Sequence, residues 1–149
     1  MRTKRNLRML ALTSLCMALL GSPAATMGRT LHVDDNAPAS GDGSSWATAF
    51  EYLQDALAVA VAGDEIWVAQ GQYRPDQGLG VTPGDRGATF RLIGGVTLLG
   101  GFAGAAGTDP DLRDPAGFAT ILTGDLAGDD DPNDRTTLLD NSSRVVIAK

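Results

Sequence analysis

Phe50, Leu53, Leu57 and Val61 recur at steps of three, four and four residues, which places them on one stripe of a 3.6-residue helix. Thr48, followed three residues later by Glu51, fits a capping box in which each side chain satisfies an orphan backbone N–H at the helix start. Gly63 supplies a left-handed residue for the helix end. The next run, Glu65-Ile66-Trp67-Val68-Ala69, is β-branched and aromatic, too short for a second helix and closed by Gly71, so it predicts a buried strand. With Ile66 and Val68 inward, Trp67 points outward by strand alternation. An isolated helix loses as much conformational entropy as its apolar stripe recovers, so this one must dock on another apolar surface.

Short strand patterns recur on both sides of that unit. Leu31-His32-Val33 precedes it and ends in the turn-rich Asp34-Asp35-Asn36-Ala37-Pro38. After it come Phe90 and Leu92, then Val96 and Leu98 beyond a Gly94-Gly95 break, then Thr120-Ile121-Leu122 and Arg144-Val145-Val146-Ile147. Polar, Gly/Pro-rich loops separate them, the longest running from Asp76 to Gly87 and from Gly124 to Arg135. Taking Ile66, Val96, Ile121 and Val145 as equivalent strand starts gives separations of 30, 25 and 24 residues, within the range that marks stacked repeats. Glycine makes up 19 of 149 residues, as many tight corners require. These features predict a mainly β coil of parallel strands, with the amphipathic helix laid across its first open end.

The run GDGSSWATAFEYLQDALAVAVAGDEIWVAQGQYRP, from Gly41 to Pro75, resembles the amino-terminal region of large exported bacterial proteins built on a right-handed parallel β-helix of the pectin-lyase-like type. The segments TFRLIGGVTLLGGFAG, ATILTGDLAGDDDP and NSSRVVIAK resemble the turns that follow, so the resemblance covers roughly Thr30 to Lys149. It implies a right-handed parallel β-helix solenoid with an N-terminal amphipathic capping helix. It also implies that the strands continue beyond Lys149. The similar proteins include surface proteins, adhesin-like proteins and polysaccharide lyases. The implied activities are therefore a non-catalytic scaffold for surface structure, adhesion or carbohydrate binding, or the N-terminal part of a polysaccharide lyase or glycoside hydrolase. No residue of the chain matches a lyase motif, and no catalytic residue is carried over.

Charge and targeting narrow the partners. Arg2, Lys4, Arg5 and Arg8 precede an apolar run from Met9 to Leu20, and Ser22-Pro23-Ala24 offers small residues for cleavage. Residues 1–24 therefore read as a signal peptide, too short to span a bilayer, with residues 25–149 as one domain that is secreted or displayed at the cell surface. Removing the signal takes away four of twelve basic residues and none of the eighteen acidic ones, leaving a net charge of −10. Such a chain is a poor nucleic-acid binder. It also loses Cys16, its one cysteine, so a packed core must supply the stability that disulfides give many exported domains. Gly41-Asp42-Gly43-Ser44-Ser45 looks like a phosphate cradle, but it lacks the lysine of a P-loop, and Trp46 stands where a dinucleotide fingerprint has its third glycine. A nucleotide partner is not expected.

Candidate chemistry is concentrated in the acidic stretch from Asp125 to Asp140. Asp129, Asp131 and Asn133 alternate like positions 1, 3 and 5 of a calcium loop, and Asp140 falls at position 12. Asp134 in place of the usual glycine and Pro132 in the middle break that pattern, which leaves calcium binding and a solvated turn as alternatives. No other cofactor is implied. A carboxylate pair for glycoside hydrolysis needs two groups about 5–9 Å apart, and so many aspartates provide one by chance. Trp67, Trp46 and Tyr73 are the aromatic residues for stacking on sugar rings, with Trp67 the foremost because of its outward position; the competing role is packing beneath the Asp76–Gly87 loop. His32, the one histidine, sits in a short strand and reads as a packing or edge residue.

Overall fold

The computed structural model describes residues 28–148. The expected signal peptide, Cys16 and the mature start at Ala25 lie outside the described residues. Among those described, the order is β1 (Thr30–Val33), a 3-10 turn (Trp46–Thr48), α1 (Leu53–Val59), β2 (Glu65–Ala69), β3 (Gly71–Tyr73), β4 (Phe90–Leu92), β5 (Thr97–Phe102), β6 (Thr120–Leu122), a second 3-10 turn (Arg135–Leu139) and β7 (Val146–Ala148).

Every strand pair is parallel, but the strands fall into three small sheets, ordered β1-β2-β5, β3-β6 and β4-β7. This overturns the expected right-handed parallel β-helix: short strands in sheets of two or three, with one helix, replace a regular solenoid wall. The supposed repeat fails at its own reference positions. Ile66 pairs with Leu31 and Leu98, Ile121 pairs with Gln72 in the second sheet, and Val145 accepts a hydrogen bond from the Phe90 N–H at 2.9 Å in the third. The 25- and 24-residue separations therefore link strands of different sheets and measure no repeat.

One core joins the three sheets. Leu31 and Val33 of β1, Ile66 and Val68 of β2, Tyr73 of β3 and Phe90 of β4 meet Leu53, Ala56, Leu57 and Ala60 from the helix. The helix thus buries its apolar side, as its spacing requires, against β1 and β4. It is shorter than the pattern suggests. Tyr52 precedes the first turn with no side-chain cap, because Thr48 already belongs to the 3-10 turn, where its hydroxyl lies 3.1 Å from those of Ser44 and Ser45. At the other end Ala60 caps the helix and Val61 is 51% exposed. The Arg29 guanidinium donates to the Val59 carbonyl at 2.6 Å, a favourable place for a cation at a helix C-terminus.

The free edge of β1 is covered by its own chain. The His32 N–H donates to the Gly43 carbonyl, while Phe50 both donates to the His32 carbonyl and accepts from Asp34 N–H, each at 2.9 Å. That pairing removes the exposed row of backbone groups on this side of the first sheet. A second, smaller cluster of Trp46, Ala69 and Phe102, with Trp67 and Leu99 against it, packs on the same sheet.

Candidate functional site

The acidic loop is organised by a residue outside the calcium pattern. Asp125 accepts backbone N–H groups from Gly128 at 2.6 Å, Asp129 at 3.1 Å and Asp130 at 3.2 Å. Gly128 permits this turn because its φ is +75°, and a Cβ there would press into the Arg74 guanidinium. The chain then returns through the 3-10 turn, which Asp134 caps by accepting from Thr136 N–H at 2.9 Å. Asp140 accepts from Ala127 N–H at 2.8 Å.

Carboxylate oxygens of Asp125, Asp129, Asp130 and Asp140 thereby lie within 4.8 Å of one another. Asp129 and Asp140 are two of the four expected ligands. Asp131 is not among these carboxylates; it accepts from the backbone and side chain of Asn133 at 2.8 and 3.0 Å. Asp125 and Asp130 complete the carboxylate cluster. Alternation by odd positions presumed a smooth calcium-loop arc, whereas the chain folds back on one carboxylate that gathers three N–H groups. The Asp-x-x-Gly spacing from Asp125 to Gly128 was the available signal.

The crowding has electrostatic consequences. Burial, followed by the charges of Asp140, Asp125 and Asp130, raises the Asp129 pKa. For Asp125 burial also acts upward, but the N–H bonds from Asp130, Gly128 and Asp129, with the Arg74 charge, outweigh it and hold the carboxyl below its usual range. A donor set of carboxylate oxygens alone suits a hard cation such as Ca²⁺ and has neither nitrogen nor sulfur for a softer metal.

The aromatic candidates serve packing. Trp67 stacks on Phe102 with ring centroids 4.6 Å apart and planes 11° from parallel, and its Nε1–H donates to Glu65 at 2.9 Å. Its partners are therefore those of the small cluster, in place of the Asp76–Gly87 loop. Trp46 is buried, as the glycine-rich turn before it suggests, and donates through Nε1–H to Asp111 at 2.8 Å. Tyr73 is buried in the main core. His32 lies edge-on between Trp46 and Trp67, at 4.8 and 5.8 Å. Its Nδ1 is 3.1 Å from the Gly43 carbonyl, which can only accept, so that nitrogen carries the proton.

Of the three interior carboxylates, Asp34 and Asp64 are likewise committed, while Asp76 accepts from Gly84 N–H at 2.8 Å through Oδ2 and leaves Oδ1 without a partner among the described residues. Asp34 accepts from Asn36 N–H at 3.0 Å and Ala105 N–H at 2.8 Å. Asp64 accepts from Val61 N–H at 3.0 Å and, at 3.1 Å, from the backbone N–H and the Nε–H of Arg29.

Comparison with known proteins brings no relative to this geometry. No family model, no curated protein and no solved structure matches the chain. Among the described residues no helix is long and apolar enough to cross a membrane.

Proposed function

We propose that the chain is an exported, non-catalytic scaffold that holds carbohydrate or other surface and matrix components. The supporting observation is where three interior acid–base groups, His32, Asp34 and Asp64, are spent. His32 is wedged between two tryptophans with Nδ1 committed, and Asp34 and Asp64 accept backbone N–H groups that the fold needs. None of these is poised to move a proton on a substrate, which requires a group free to reach it. The export-like segment at residues 1–24 and the resemblance of Gly41–Pro75 to exported bacterial proteins support the extracellular setting.

The competing reading, part of a polysaccharide lyase or glycoside hydrolase, is separated by one assay. The chain is incubated with a panel of purified polysaccharides, and retention is measured alongside new reducing ends and unsaturated products. Retention without either product is the expected result. Catalytic release of products overturns the scaffold reading.

Within that reading the acidic loop holds Ca²⁺ through Asp129 and Asp140, joined by Asp125 and Asp130, so that a cation offsets four crowded carboxylates. Calcium added after chelation is expected to raise the melting temperature of the native chain and to leave Asp129→Asn unmoved, because binding only to the folded state stabilises it by mass action. An equal response of both proteins, or none in either, rules out the site.

A further inference from the structure

A polar cleft of about 210 Å³ opens where the turn after β1, the approach to α1 and the end of β3 converge; Asp35, Glu51, Tyr52, Gln72, Arg74 and Gln77 are among its walls. It adjoins the acidic loop through Arg74, and none of its lining residues belongs to the tryptophan cluster. Several of its groups are fixed before any ligand arrives. Asp35 Oδ2 accepts from Gln72 N–H at 3.0 Å, and Oδ1 accepts from Asn36 Nδ2 at 2.7 Å. The Asp35 N–H donates to the Tyr73 hydroxyl at 3.3 Å, and that hydroxyl donates to the Ala69 carbonyl at 3.1 Å. Gly71 makes room for the carboxylate: its φ is +148°, and a Cβ there would press into the Asp35 carboxylate. Arg74 is anchored through Nε–H to the Asp125 carbonyl at 3.0 Å. Preorganised polar groups of this kind lower the entropic cost of binding.

We propose that this cleft binds one neutral, polyhydroxylated ring, the size of a single sugar residue. The volume is below the roughly 300 Å³ at which drug-sized pockets begin, so it admits one small ring and no more. Adjacent hydroxyls each donate and accept. Two carboxylates that only accept, a guanidinium that only donates and two amides that do both match them. An anionic ligand meets Asp35 and Glu51. A cationic one meets the Arg74 guanidinium and leaves its donors without an acceptor, and an apolar one strips water from every polar wall without replacing its hydrogen bonds. The inference rests on the reading of the chain as a carbohydrate-holding scaffold and adds the place and the charge of what is held.

The test uses the full chain as recovered from expressing cells, titrated with the methyl glycosides of glucose, galactose and mannose while amide resonances are followed by NMR. At least one glycoside is expected to shift Gln72 and Gln77. Glu51→Gln, at a half-buried position, and Gln72→Ala, at an exposed one, should weaken that glycoside about tenfold, the loss expected when a hydrogen bond to a charged or polar wall is removed, with unchanged melting temperature. Methyl glucuronide and ethylenediamine should bind more weakly than the neutral ring.

The proposal is overturned if no glycoside moves these resonances, if both variants bind as the native chain does, or if either charged probe binds as well as the neutral one. Polysaccharide retained while Gln72 stays silent removes the cleft and leaves the scaffold reading standing. Polysaccharide cleaved while Gln72 responds removes the scaffold reading and leaves the cleft.

Discussion

Asp64 ties the segment at Arg29 to the turn after the helix through one carboxylate, which makes it the residue where pH and stability meet. Its pKa is lowered by the Val61 and Arg29 backbone N–H groups first, against the opposing effect of burial, with the Arg29 side chain adding to the depression. A depressed folded-state pKa contributes stability that is present above the unfolded value, about 3.9 for aspartate, and is lost as pH falls through the folded value. The midpoint difference between the native chain and Asp64→Asn in urea denaturation should therefore be steady above about pH 5 and shrink below about pH 4. A difference that stays constant into that acid range would show that the carboxylate charge contributes nothing. Asp35 and Asp129 act in the opposite sense. Burial is the first cause of the rise in each, so their contribution is largest below the unfolded value and fades as pH rises through the folded one.

At the scale of elements, the helix gives a prediction in which two leucine-like positions of the same apparent stripe behave differently. Leu53 is 1% exposed and Val61 is 51% exposed. Leu53→Ala should cost roughly 2–5 kcal/mol, as for other large-to-small core changes, and Val61→Ser should stay within about 0.5 kcal/mol, as for surface changes. Chemical denaturation of the two variants checks both, and equal losses would place Val61 in the core after all. The difference also shows what periodicity can reveal. Spacing located the buried side because Phe50, Leu53 and Leu57 lie along it, but could not locate the helix end, which is set by Arg29 arriving from much earlier in the sequence and by the turn that Asp64 closes on Val61. Strand β2 was legible to the residue as EIWVA, and β6 as Thr120–Leu122. Strand β3 was missed. Gly71 reads as a terminator, yet it opens a strand whose first N–H reaches Ala119 and whose second reaches the Asp35 side chain. In the acidic loop, composition exposed the cluster and two of its members, while the other two depended on the fold-back at Asp125.

At the scale of the whole molecule, strand character was local and legible, whereas the assignment of strands to sheets was not. Four hydrophobic starts at near-regular intervals suggested one stack, and the pairing partners instead lie in three sheets. The pairings share one property. Thr30 meets Glu65, Glu65 meets Thr97, Gly71 meets Thr120 and Phe90 meets Val146, so no ladder is closed by a neighbouring hairpin. Chains dominated by such distant contacts refold on roughly the millisecond-to-second scale. Stopped-flow tryptophan fluorescence should find the chain in that slow range, and microsecond refolding would contradict it. Because Phe90 waits for Val146, a growing polypeptide has no finished third sheet until the residues through Val146 have been made. A chain with that arithmetic stays threadable while the intervening residues are being synthesised, and the third sheet becomes final only with the arrival of Val146–Ala148.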